Sequence, residues 1–244
     1  KSVEEKFLID FPKVYIISTD NVEYTKNICN KYNVKYKIDF IYKKGFPLDT
    51  LYRYKYLLNH GIEIELLCDI IYYLDVDMKI LENVGDEILP IPDKPYIGTK
   101  HPGFAYSSNK NGSPETRKDV TAYIDPSEYK ECYIAGGFNG GYTYYFRKMA
   151  ETIQNRINID KSKDLMAIWH DESQLNRYFI DNYDKFKILS TDYCYPENYH
   201  EKIPGIPKIL ALDKNNHKVR NISDKKKIVV ECMGGLGNLL FQLY

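Results

Sequence analysis

Residues Asp69–Asp77 read DIIYYLDVD, an unbroken apolar run closed by acids. A run with no polar face cannot lie on a sheet surface. It belongs at the centre of a sheet covered on both sides, and it predicts a strand over Asp69–Asp75. Working outward, Lys13–Thr19 (KVYIIST), Val34–Tyr42 and Tyr96–Thr99 share its β-branched and aromatic character and read as further strands. Leu48–His60 (LDTLYRYKYLLNH) is dense in helix formers, with Gly61 as a C-terminal stop. Arg147–Asn158 is amphipathic, and Leu175–Asp181 continues a helix begun near Asp171. Pro90–Pro95 and Asn109–Arg117 (NKNGSPETR) read as turn and loop. The alternation of strands and helices predicts an α/β fold built on a mainly parallel sheet.

Composition narrows the function classes. The 34 basic and 34 acidic residues cancel, so no global field draws the chain to nucleic acid or an anionic membrane. The five cysteines are odd in number, dispersed and free of CxxC spacing, which argues against a disulfide framework or structural zinc. A reducing, cytoplasmic setting is the expectation, with peripheral membrane attachment as its variant. No apolar run of about 18 residues occurs, so no transmembrane helix is expected in this chain, and no signal peptide is visible.

Several clusters can carry chemistry. Asp75 and Asp77 follow the strongest strand directly, where alternation would place both carboxylates on one side. Oxygen-rich acids there suit Mn²⁺ or Mg²⁺ bridging to a diphosphate, although two acids also simply cap a strand at solvent. Trp169–Ser173 (WHDES) sets the only tryptophan beside groups able to act as acid, base or nucleophile, at what would also serve as a capped helix start. Gly136–Gly141 (GGFNGG) holds four glycines in six residues, so backbone could approach a ligand closely; a flexible turn is the plainer reading. His101–Phe104 (HPGF) is a tight turn whose lone histidine is more often structural.

Taken in order, DVD, HPGF, TAYI (Thr121–Ile124), GGFNGG and WHDES resemble glycosyltransferase family 6, the family of the blood-group A and B transferases and the α-1,3-galactosyltransferases. The resemblance extends from about Tyr15 to Asn221. It implies a GT-A fold, a UDP-sugar donor and retention of anomeric configuration. By that resemblance Asp75 and Asp77 hold the metal and diphosphate, and Arg53 contacts the donor. Glu172 is the nucleophile or the stabiliser of an oxocarbenium-like state, with Asp171 on the donor sugar. His101, Ser113, Trp169 and Glu197 face the acceptor. Lys214 and Arg220 belong to a basic tail that folds over the diphosphate and shuts out water, where composition alone suggests a solvated tail.

By the same resemblance, donor choice is set at Ala135 and Gly137, where small side chains leave room for an acetamido group and favour UDP-GalNAc over UDP-galactose, and Gly136 between them belongs to the donor site. Three departures from the family pattern stand out. The family's opening strand has no counterpart before Lys1, which would weaken nucleotide binding and expose a sheet edge. Phe46 replaces a tryptophan ahead of the donor arginine. An acidic acceptor residue falls at Pro196, with Glu197 beside it as the substitute.

Lys225–Tyr244 changes character. Ile228–Cys232 reads as a new strand, and Met233–Asn238 (MGGLGN) as a glycine turn leading into an apolar helix start. This resembles the opening of glycosyltransferase family 11, the α-1,2-fucosyltransferases. The expected organisation is therefore a GT-A domain over 1–224 and the beginning of a second domain over 225–244, with Fucα1-2Gal as the acceptor. Rival readings are a galactosyltransferase, a glycan- or UDP-sugar-binding module without turnover, and a glycoside hydrolase.

Overall fold

The computed structural model describes residues 1–199, 203–214, 216 and 239–243, the last five as backbone. In chain order the strands are β1 (Lys13–Thr19), β2 (Lys35–Phe40), β3 (Ile70–Leu74), β4 (Met78–Ile80), β5 (Tyr96–Thr99), β6 (Phe138–Tyr142), β7 (Phe186–Leu189), β8 (Tyr195–Pro196), β9 (Ile209–Ala211) and β10 (Leu239–Leu243). The helices are α1 (Ser2–Lys6), α2 (Val22–Lys31), α3 (Leu48–Leu51), α4 (Arg53–Leu58), α5 (Glu63–Leu67), α6 (Pro102–Ala105), α7 (Thr143–Ser162) and α8 (His170–Asp181).

The main sheet has the order β2-β1-β10-β3-β6-β5-β7, and a small sheet pairs β4, β9 and β8. β1 runs parallel to β2, and β5 to β7, whereas β10 and β6 run against both of their neighbours. The sheet is thus mixed: the five remaining strands share a direction, but most neighbouring pairs are antiparallel. The DIIYYL run fulfils its reading, because Ile71–Leu74 are buried on both faces of β3.

Glycine-rich Gly136–Gly141 is no flexible turn. Its second half is β6, a buried strand between β3 and β5. A Cβ at Gly140 would meet the Ile71 carbonyl at 2.5 Å, so the glycines allow close strand packing instead of mobility. Leu48–His60 is likewise broken into α3 and α4 at Tyr52. Leu239–Leu243, read as a helix start, is a strand hydrogen-bonded on both sides, to β1 and to β3. Five residues, four of them apolar, carry no periodicity that separates helix from strand, and the two flanking partners decide it. Ile228–Cys232, Met233–Asn238 and Arg220 lie outside the described residues.

Two cores flank the sheet. One gathers Phe7, Tyr72, Phe138 and Met78 under α1, and the other gathers Tyr54, Tyr73, Phe146 and Phe179 under α4, α7 and α8. Among the described residues, no helix is long and apolar enough to cross a membrane.

Candidate active site

The C-terminal end of β3 opens into a cleft. Asp75 N–H donates to Gly137 O at 2.9 Å, and Met78 N–H donates back to Asp75 O at 3.0 Å. Asp75–Asp77 is therefore a turn into β4, and this turn, not strand alternation, brings the two carboxylates together. The Tyr73 phenol donates to Asp75 Oδ1 at 2.5 Å. Asp77 is buried and its carboxyl is pushed up by that burial and by Asp75. Its counter-charge is Lys214, whose Nζ lies 3.0 Å from Asp77 Oδ2. The pairing of Met78 with Ala211, and Leu212 N–H donating to Asp77 O at 2.9 Å, hold that segment over the turn.

Arg53, at the start of α4, is the hub. Its Nε reaches Asp171 Oδ2 at 2.8 Å, Nη1 donates to Gly136 O at 2.8 Å, and Nη2 stands 3.6 Å from Asp75 Oδ1. The guanidinium also stacks on Tyr73, 4.5 Å from the ring centroid. A buried cation is tolerable only when so many acceptors surround it.

Glu172 sits in the first turn of α8 and accepts Gly136 N–H at 2.8 Å through Oε2. Burial pushes its carboxyl up to about 7, against the pull of the Gly136 N–H and Arg53. Burial also lifts Asp171 to about 7, reinforced by Asp75 and Glu172 and opposed by Arg53. His101 Nε2 stands 4.0 Å from Glu172 Oε1. Burial lowers the histidine to about 4, so at neutral pH this is a neutral ring facing a carboxyl, not an ion pair. His101 Nδ1 accepts Gly103 N–H at 3.1 Å, which leaves the proton of the neutral ring on Nε2, pointing toward Glu172.

Gly136 and Gly137 lie against this cluster, and Ala135 beside them is buried in the core. A Cβ on Gly136 would lie 3.3 Å from Glu172 Oε2 and 3.5 Å from Arg53 Nη1. One on Gly137 would meet Met78 Cε at 2.5 Å and Asp75 Oδ2 at 3.3 Å. Both residues must be small for Arg53, Glu172 and Asp75 to close around one backbone segment.

The structure thus joins Arg53, Asp75, His101, Gly136, Asp171 and Glu172 into one cluster, with Asp77 and Lys214 paired at its edge. Trp169, half exposed, stands at the start of α8. Glu197 accepts Asp213 N–H at 2.7 Å, which sets it against the segment bearing Lys214. Ser113 lies in the loop ahead of Glu115, whose carboxylate accepts Ile168 N–H next to Trp169. Two tyrosines of the site carry no signal in the sequence: Tyr73, beneath Arg53, and Tyr133, whose phenol is pushed up by burial and by Glu172. In a chain with 24 tyrosines, nothing distinguishes these two until the fold places them.

Among the described residues, no three His, Cys, Asp or Glu side chains gather around a metal position. Asp75 and Asp77 with an ammonium already on one of them still make a hard, oxygen-only donor set that accommodates positive charge. That suits a divalent cation completing its shell with phosphate oxygens and water.

The family model of glycosyltransferase family 6 matches residues 49–221, a span holding every member of this cluster. The chain belongs to glycosyltransferase family 6. It is 33% identical over 174 residues to histo-blood group ABO system transferase 1 of Rattus norvegicus, covering 68% of this chain and 47% of that protein. It is 30% identical over 213 residues to the O-antigen biosynthesis glycosyltransferase WbnI of Escherichia coli, covering 87% of this chain and 86% of the relative. Globoside alpha-1,3-N-acetylgalactosaminyltransferase 1 of Gallus gallus is 26% identical over 228 residues, covering 91% and 64%. The chain therefore spans about half the length of the rat transferase and most of the bacterial one.

Proposed function

We propose that this family 6 chain is a GT-A-type, metal-dependent, retaining hexosyltransferase that moves GalNAc from UDP-GalNAc in α1-3 linkage onto a galactose. The observation that carries the proposal is the Arg53 cluster, which ties Asp171 and Asp75 to the backbone segment that also holds Glu172.

In this reading Asp75 and Asp77 hold Mn²⁺ or Mg²⁺, which when bound supplies Lewis-acid neutralisation of the departing UDP. Lys214, now on Asp77, adds a cation beside the same charge. Arg53 fixes Asp171 against the donor sugar. Glu172 keeps Oε2 on the Gly136 N–H, leaving Oε1 to face the anomeric carbon, where an ionised carboxylate stabilises developing positive charge. His101 presents Nε2–H 4.0 Å from Glu172 Oε1, so an acceptor hydroxyl placed to the side of the pair reaches both as hydrogen-bonding partners. Ser113, Trp169 and Glu197 then belong to the acceptor side, and Arg220 to the donor tail.

The small residues at Ala135–Gly137 support GalNAc over galactose. The name of the chicken relative, an α-1,3-N-acetylgalactosaminyltransferase, is consistent with that choice and with the linkage. A Fucα1-2Gal acceptor rests on the fucosyltransferase-like Met233–Asn238 segment and on the blood-group name of the rat relative.

Glu172→Gln tests the assignment. It should cut turnover by about 10²-fold or more while UDP binding persists. Turnover retained at the parent rate would remove Glu172 from the chemistry.

A further inference from the structure

Outside the cleft, the least expected buried group is Glu115. It lies in an irregular, polar loop, yet it is only 1% exposed. A carboxylate sealed there is costly unless donors surround it. Four N–H groups do so. Arg117 N and Nε donate to Oε1 at 3.0 Å each, and Arg117 Nη2 and Ile168 N donate to Oε2 at 2.7 and 2.8 Å. These bonds hold the carboxyl below its ordinary range despite its burial.

The same Arg117 Nη2 donates to Met166 O at 2.7 Å. The Glu115–Arg117 pair therefore grips the chain on both sides of Ala167, taking the carbonyl before it and the N–H after it. Ala167 itself is buried against Val120 and Ala122. On the far side, Ile124 N–H donates to Glu115 O at 2.9 Å, which fastens the clamp to the Thr121–Ile124 segment.

The gripped segment leads directly into a strained turn. His170 has φ +51, the left-handed region that costs a side-chain-bearing residue roughly 1–2 kcal/mol. Such strain persists only where the surroundings over-determine the backbone. Within the turn, His170 N–H donates to Ala167 O at 3.0 Å and Trp169 N–H to Ser173 Oγ at 3.0 Å. Trp169, just ahead of the left-handed step, is half exposed, whereas Asp171, just after it, is buried.

We infer that Glu115, locked by Arg117, is a positioning residue for sugar transfer: it anchors the backbone ahead of the left-handed His170 and so sets where Trp169 and the Glu172 carboxyl stand. The clamp also joins the Ser113 segment to the Trp169 segment, the two sides assigned to the acceptor. The inference rests on the proposed function for its kinetic consequence, but not for its structural one.

The full chain carries one tryptophan, so its emission reports on Trp169 alone. Glu115→Gln keeps an acceptor for Ile168 N–H but sets an amide against Arg117. Arg117→Ala removes a half-exposed side chain and leaves the core intact. In both variants, with circular dichroism unchanged, Trp169 should become more accessible to acrylamide. KM for the glycan acceptor should rise, or kcat fall, on the order of 10–100-fold. UDP affinity should hold, and Arg117→Lys should recover part of the loss. Unchanged Trp169 quenching and acceptor kinetics in both folded variants would overturn the inference. So would a parallel loss of UDP binding and of acceptor kinetics, which would mark a merely structural acid. If the parent chain transfers no sugar but Trp169 still responds, the proposed function fails and with it the kinetic part of the inference, while the anchoring of the Trp169 turn stands.

Discussion

Arg53 Nε and Asp171 Oδ2 meet at 2.8 Å with their side chains only 6% and 5% exposed, joining the first turn of α4 to the first turn of α8. The pair is the internal counter-charge of the cleft, because Asp75 and Glu172 also lean on the same guanidinium.

Removing the cation strands the acids. Arg53→Met should lower the unfolding free energy at pH 8 by about 3 kcal/mol, because Asp171 loses its counter-charge and must stay ionised in a buried site or take up a proton there. Adding Asp171→Asn should restore part of it, because the second change deletes the stranded charge. Urea unfolding of the two single variants and the double variant gives the coupling, and simple additivity would mean that the pair carries no interaction energy.

Acidity has opposite effects on activity and stability. In the proposed mechanism Glu172 works as a carboxylate, and burial raises it from 4.5 to about 7, so turnover should climb as pH rises through about 7. Its native pKa lies above its unfolded one, so the native state binds the extra proton between those values. The stability this contributes is complete below the unfolded pKa and is lost as pH rises through the native one, about 7. Profiles of kcat and of unfolding free energy, measured in parallel between about pH 5 and 8, should therefore slope in opposite directions. Two profiles rising together would show that another group controls the rate or the stability.

Donor selection should respond to Ala135 and Gly137. Gly137→Ala brings a methyl toward Asp75 Oδ2 and the end of Met78, and Ala135→His sets an imidazole where a buried methyl stands. The double variant should shift the UDP-GalNAc to UDP-galactose ratio of kcat/KM toward galactose by roughly tenfold or more, the scale of one or two buried groups in a pocket. An unchanged ratio would detach donor choice from these positions.

How much of this was legible differs element by element. β3 was plain, since a doubly buried strand must be apolar throughout. β6 was not, because its glycines look like a turn until two neighbours press on them. The DVD acids were legible as a pair, but their convergence comes from a tight turn that alternation does not describe. Asp171 and Glu172 stood out by motif, whereas their link to Arg53 is a tertiary fact that family resemblance could suggest and local pattern could not. Glu115 was invisible for a different reason. A lone acid in a polar loop reads as solvated, and only the fold brings Arg117 and the Ile168 N–H around it to make its burial tolerable.

The central claim is the transfer itself, and it is tested most directly by incubating the chain with UDP-GalNAc, Mn²⁺ and a Fucα1-2Gal acceptor and reading the product linkage by NMR. The account predicts an α1-3 GalNAc product that disappears when the metal is chelated and in Asp75→Asn. No transfer from UDP-GalNAc or UDP-galactose, despite measurable UDP binding, would contradict it and leave a sugar-nucleotide-binding module in its place.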